Sequence, residues 1–306
     1  MRRRTWRPGL VIACRVAGCW VLALAALRPA IAVAQDPASV PPAAPTAQQT
    51  SPQDQADDNG QDFTRPLNLL QLRDSYRTAP GSGGAPGTTR QVTSDVATLR
   101  ADGRIQLAPQ WTLGLRTDLP YVAKNPINSD NPGGNYLFGV GDSDVQAALL
   151  HEFDARWAAG VGARLIVPTG GDILGSGKWR IMPGAAVRYA LLEVGPNSYV
   201  EPLVRYDVSF AGDPAKRNIS NLQFAPTVNL GLPDRWFLTF YPSADIRVNY
   251  GDPVTGQTGR LFVPFDVMVG RKLTADLSLS LEVSVPIVKD YPVYDFKSEI
   301  RLNKSF

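Results

Sequence analysis

From Trp111 to the terminal Phe306 the chain repeats one pattern: about a dozen residues in which apolar side chains alternate with polar or small ones, followed by a turn. Successive strand side chains point to opposite faces, so each stretch predicts a strand with one apolar and one polar face. In 111–123 the odd positions Trp111, Leu113, Leu115, Leu119 and Tyr121 are apolar, while the even positions carry Arg116 and Asp118. The same reading sets Trp157, Val161 and Leu165 against Arg164 in 155–168, and Ile181, Val187 and Tyr189 against Arg188 in 179–192. In 199–211, Val204, Tyr206 and Phe210 oppose Glu201, Arg205 and Asp207; in 236–250, Leu238, Phe240, Ile246 and Val248 oppose Asp245 and Arg247. In 277–288, Leu279, Leu281 and Val283 oppose Glu282, and in 293–306, Ile300, Leu302 and Phe306 oppose Glu299 and Arg301. Less regular alternation places five further strands at 66–77, 91–108, 138–153, 219–232 and 261–272, with a bulge expected at Ala101-Asp102-Gly103.

The connections sort into two sets. Short ones fall around Pro109, Asp154, 195–198, 233–234 and 274–276; longer ones, rich in Gly, Pro, Asn and Asp, fall at 78–90, 124–137, 169–178, 212–217, 251–260 and 289–292. The sets interleave when both termini lie on the side of the short turns. A soluble sandwich has no reason to sort its connections this way, whereas an outer-membrane barrel has short periplasmic turns and long outer loops. The expected fold is therefore all-β, a transmembrane antiparallel up-and-down β-barrel of about twelve strands with both termini periplasmic. Trp111, Trp157 and Trp236 each open a strand after a short turn, and Tyr121, Phe210 and Tyr250 lie at the opposite strand ends, where aromatic girdles belong.

Three regions follow. Residues 1–34 read as a cleaved signal peptide, with Arg2, Arg3, Arg4 and Arg7 ahead of an apolar stretch and Ala32-Val33-Ala34 as the cleavage site. Residues 35–62, rich in Ala, Pro and Gln, cannot bury a core and read as a disordered periplasmic tether or a segment entering the lumen. Residues 63–306 form the barrel. Six of the 31 basic residues belong to the leader, so the formal charge of +3 becomes −3, with 25 basic against 28 acidic residues, and no case for nucleic acid survives. The mean hydropathy of −0.13 looks soluble because half of every strand is polar.

The polar faces carry the candidate chemistry. Arg116, Asp118, Arg164, Arg188, Glu201, Arg205, Asp207, Asp245, Arg247, Glu282, Glu299 and Arg301 are expected to line the lumen. Two readings stay open: a self-neutralising network that fills the interior, or a selective path in which arginines attract anions. Catalysis is poorly supplied. The one histidine, His151, shares the outward parity of Val145, Ala147 and Leu149, and Cys14 and Cys19 both lie in the leader. No catalytic, cofactor-binding or metal-ligating set is expected.

Gly139-Val140-Gly141-Asp142, together with Val167-Pro168-Thr169-Gly170-Gly171-Asp172 and the Gly-rich loop through Gly175 and Gly177, resembles the bacterial outer-membrane family described as "putative MetA-pathway of phenol degradation". The resemblance covers about 63–306 and implies an outer-membrane barrel for uptake of hydrophobic or aromatic compounds, with no catalytic residues to transfer. The residues themselves are also what strand ends and turns need. The final Phe306, at the parity of Ile300 and Leu302, resembles the end signature by which the barrel-insertion machinery recognises such proteins, although Lys304 takes a position usually aromatic or apolar. The expected surroundings are outer-membrane lipid and lipopolysaccharide. The expected function is a channel or passive transporter for small solutes of unknown identity, with a closed structural barrel as the alternative and a lipid-modifying enzyme less favoured.

Overall fold

The computed structural model describes residues 62–80, 91–127, 131–243 and 245–306; the expected leader and the Pro/Ala/Gln-rich segment up to residue 61 lie outside them. The strand segments are β1 (Leu69–Pro80), β2 (Gln91–Ala108), β3 (Trp111–Lys124), β4 (Leu137–Val140), β5 (Ser143–Glu152), β6 (Trp157–Val167), β7 (Lys178–Ala190), β8 (Tyr199–Gly212), β9 (Ser220–Gly231), β10 (Trp236–Phe240), β11 (Ile246–Asn249), β12 (Leu261–Lys272), β13 (Leu277–Lys289) and β14 (Phe296–Ser305). All pairings are antiparallel between chain neighbours, and β1 pairs with β14 from Leu69↔Ser305 to Thr78↔Phe296, which closes the sheet on itself. The pairs β4 with β5 and β10 with β11 each occupy one place in the wall, so fourteen segments make a barrel of twelve strands. No described helix is long and apolar enough to cross a membrane. Closure leaves the sheet without a free terminal strand.

The two faces separate by chemistry. Leu115, Leu119, Val161, Val204, Leu281, Ile287, Ile300 and Leu302 are exposed on the outside, whereas Asp118, Arg188, Glu201, Glu282, Lys297 and Arg301 are buried. This is an inverted sorting for a protein in water and the right one for a wall whose solvent is lipid. Trp111, Trp157 and Trp236 are exposed at the end where β1 starts and β14 finishes, and Tyr121, Phe210 and Tyr250 at the other. Trp111 and Phe153 flank His151 with ring centroids at 4.4 and 4.5 Å, which puts the histidine in this outer aromatic belt.

The structure corrects several boundaries. The first strand starts at Leu69, not near Pro66, and runs on to Pro80. The last starts at Phe296. The irregularity in β2 lies between Gln106 and Ala108, at the turn into β3, and Ala101-Asp102-Gly103 pairs regularly with 115–117. The expected single strands 138–153 and 236–250 are each interrupted. The first break is a kink at Gly141-Asp142, where the Gly141 amide bonds Pro120 O at 2.9 Å. The second, at 241–245, begins at Tyr241 with φ of +52° and contains Pro242, which can donate nothing to a ladder. Lys304 departs from the terminal signature because it ion-pairs with Asp276 in the β12–β13 turn, which ties the last strand to that hairpin. The Lys304 ammonium and the Thr274 hydroxyl draw the Asp276 carboxyl down to about 2.

Leu281 sits mid-strand in β13, opposite Ile300 and Val269, and faces outward. Leu281→Arg should cost about 2–4 kcal/mol, the penalty for a cation near the bilayer midplane. Equilibrium unfolding in lipid vesicles checks this, and a variant as stable as the parent would show that this face does not meet hydrocarbon.

Candidate functional site

The interior of the barrel is built in three parts. The first is a strap formed by residues 62–68, ahead of β1, which crosses the mouth at the end where β1 starts and β14 finishes. Pro66 packs against Gly114 of β3, and a Cβ on that glycine would come within 3.2 Å of the proline ring. Phe63 lies against Gly160 of β6, whose missing side chain leaves the ring its space. Asp62 ion-pairs with Arg188 of β7 at 2.5 Å, both side chains only 3% exposed. The Arg188 guanidinium also lies 5.0 Å over the Tyr199 ring. Glu201 of β8 accepts the Phe63 and Thr64 amides at 3.2 and 3.3 Å, and Arg65 pairs with Glu152 at 3.3 Å. The chain thus passes from β1 to β8, the wall strand on the opposite side of the barrel, and its orphan amides find an acceptor there.

The second part is the excursion that begins at 241–243, after β10, and turns inward, with Ser243 reaching Glu282. Tyr241 is held in its left-handed conformation by its amide on Asp266 O at 3.0 Å and its hydroxyl on Pro264 O at 2.9 Å. Ser243 donates to Glu282 at 2.6 Å and accepts from Lys297, which reaches it from β14. Beneath the excursion Glu282 pairs with Lys297 and Arg301, and Glu299 pairs with Arg301 at 2.6 Å and Lys297 at 3.5 Å. All four side chains are at most 3% exposed, a closed ion network that leaves no accessible charge. Where the excursion departs, Ala225–Thr227 of β9 and Val263–Asp266 of β12 have no ladder partner on β10 or β11. Phe224, Phe240 and Phe265 stand on the outer face around this interruption.

The third part lines the other side of the lumen, from β1 to β11. Arg73 and Arg100 both bind Asp118, at 2.6 and 2.7 Å; Arg116 binds Asp102 at 2.6 Å. Arg164 reaches Asp144 at 3.4 Å and Gln146 at 3.0 Å, and Arg180 binds Asp207 at 2.8 Å. Arg205 and Arg247 share Asp245, the latter at 3.6 Å.

The twelve residues proposed from the alternation do not form one site. Arg188 and Glu201 anchor the strap; Glu282, Glu299 and Arg301 belong to the closed network; Arg116, Asp118, Arg164, Arg205, Asp207, Asp245 and Arg247 belong to the open side. Sequence reasoning missed Arg73, Asp144 and Arg180 as partners, the strap, and the excursion. Pro242 in mid-strand was the available signal for the last, since proline demotes a central strand.

The Gly-rich motifs serve one another. Thr169 Oγ1 donates to Gly141 O at 2.6 Å and accepts the Ser143 amide at 2.9 Å, while Asp142 accepts the Gly170 amide at 3.2 Å and the Ser176 amide and hydroxyl, both at 2.6 Å. They lock the β4–β5 kink to the loop after β6, which includes one helical turn, Gly171–Leu174.

The family described as "Putative MetA-pathway of phenol degradation" matches residues 54–241. The chain belongs to this family. Among solved structures, an outer membrane channel from Pseudomonas putida F1 is similar at 18% identity, with 81% of this chain and 99% of that chain covered and a TM-score of 0.60. NanC porin is similar at 13% identity, with 78% and 98% covered and a TM-score of 0.48. The deltaS2 mutant of the TodX monoaromatic hydrocarbon channel is similar at 11%, with 82% and 94% covered and a TM-score of 0.41. Among curated proteins no sequence matches. At such identities the first likeness establishes the fold, an outer-membrane β-barrel.

Removing the charges that anchor the strap should open this mouth. Each charge-assisted hydrogen bond lost is worth about 1.5–3 kcal/mol, so Asp62→Asn with Glu201→Gln should raise the population of the released strap at least about tenfold. Planar-bilayer recordings should then show larger or more frequent current steps than the parent. An unchanged trace would mean that the strap is not a constriction.

Proposed function

We propose that this chain is a passive outer-membrane channel for small solutes, small aromatic compounds among them. The observation that carries this reading is the contrast between the two sides of the lumen. The network under the excursion is sealed, but the arginines of the opposite side keep 11 to 27% of their side-chain surface accessible. A barrel filled for purely structural ends would seal both. The strap and excursion narrow this space, which suits small solutes over sugars or peptides. The interrupted wall, rimmed by Phe224, Phe240 and Phe265, gives an apolar molecule a place to lie between lipid and lumen. Family membership supports the same cargo class. Export by the leader and insertion through the terminal Phe306, which is exposed on the outer face beside the β14 end, complete the reading.

The closed structural barrel is the second reading, favoured by the strap, which spans the mouth. Uptake into vesicles decides between them. Vesicles containing the folded chain should take up phenol faster than protein-free vesicles, and should exclude a disaccharide. Phenol entry no faster than through lipid alone, in both the parent and the strap-released variant, would leave the structural barrel as the function.

A further inference from the structure

We infer that the open side of the lumen is a binding belt for small organic carboxylates, giving the channel a preference for anions; this rests on the channel reading above. Side-chain reach sets which end of each ion pair meets the lumen. Every acid in the belt is an aspartate, whose carboxyl sits two bonds from the backbone, and every base is an arginine, whose guanidinium sits five bonds out. When such a pair stands on a barrel wall and points inward, the carboxylate stays at the wall and the guanidinium projects toward the axis. The exposures follow that rule. Asp102, Asp118, Asp207 and Asp245 are 3 to 4% exposed and Asp144 is 12% exposed, while their arginine partners are 11 to 27% exposed. A solute in the lumen therefore meets the positive end of each pair first.

The ladder carries the belt from strand to strand. Arg100 pairs with Asp118 across β2 and β3, Gln146 with Arg164 across β5 and β6, Gly184 with Arg205 across β7 and β8, and Gln223 with Arg247 across β9 and β11. Seven arginines share five aspartates, so the belt keeps an excess of two positive charges. Glu282 and Glu299 of the facing side are already paired with Lys297 and Arg301, a set with no net charge of its own. Here the acids are glutamates, long enough to be enclosed with their partners. In a confined, low-dielectric space an uncompensated guanidinium surface attracts anions and repels cations, and its planar fork matches a carboxylate in two hydrogen bonds.

Reversal potentials of the full folded chain in planar bilayers under a potassium chloride gradient test this. The potential should take the sign set by chloride, with a chloride-to-potassium permeability ratio above one. Benzoate should reduce the chloride current at concentrations where benzyl alcohol, its neutral counterpart, does not. Arg164→Gln with Arg205→Gln should bring the ratio toward one and abolish the benzoate effect, whereas Arg164→Lys with Arg205→Lys should keep the ratio and weaken the benzoate effect. Arg271→Gln, on the outer face over Trp236, should change neither. Heat-modifiable gel migration confirms that each variant is folded. A cation preference, or equal inhibition by benzoate and benzyl alcohol, overturns the belt as a carboxylate site. Inhibition by inorganic phosphate with none by benzoate overturns the assignment to carboxylates. Phenol entry without anion preference sinks this inference alone, whereas absence of both current and phenol entry sinks the channel reading with it.

Discussion

Backbone amides and carbonyls have no partner in hydrocarbon, and this constraint governs the rest of the molecule. Only a sheet closed on itself can satisfy them while crossing a bilayer with strands, and the β1–β14 ladder makes that closure. Once the sheet is closed, the period of two along each strand assigns every side chain to lipid or lumen. Apolar residues go outward, and the charges have nowhere to go but in. The ion pairs of the interior are thus a consequence of the wall, and what distinguishes them is how they are sealed.

The two places where the wall departs from regularity show how the same constraint is met locally. At Gly141-Asp142, hydrogen bonds from Thr169, Gly170 and Ser176 replace the ladder. At 241–245 the replacement comes from inside: Asp266 and Pro264 take the Tyr241 donors, and Thr227 donates to Tyr241 O at 3.0 Å. The first break stiffens a loop. The second turns inward and sets Ser243 on Glu282 and Lys297. The excursion thus covers the sealed Glu282–Lys297 network and stands apart from the more exposed arginines of the other strands. The strap acts on the same space from its end, and it is anchored by the two buried charges, Arg188 and Glu201, that lie nearest the mouth on β7 and β8.

Much of this was legible along the chain. The alternation around Arg116, Asp118 and Arg164 assigned faces correctly because a lipid-facing strand leaves no tolerance for a slip of one residue. The number of wall strands followed from turns that alternate in length. The ranges 138–153 and 236–250 read as continuous strands because alternation persists through a kink or an inward excursion, and only Gly141-Asp142 and Pro242 marked the difference. Asp62 to Thr64 carried no periodic signal, since a strap that crosses a mouth has no repeating neighbour to write one.

Local spacing thus settles the wall, its twelve strands and the alternation of its two faces, because a strand lattice has the same geometry everywhere. Which charges meet was decided only in three dimensions. Glu282 finds Lys297 and Arg301 within one hairpin, but Asp62 meets Arg188 across the mouth, and Arg205 meets Asp245 across a strand that the chain reaches only after a turn. Those distances depend on barrel curvature, on the path of the strap and on where Tyr241 leaves the wall. No period in the sequence encodes them, and they are what separate a sealed interior from an accessible one.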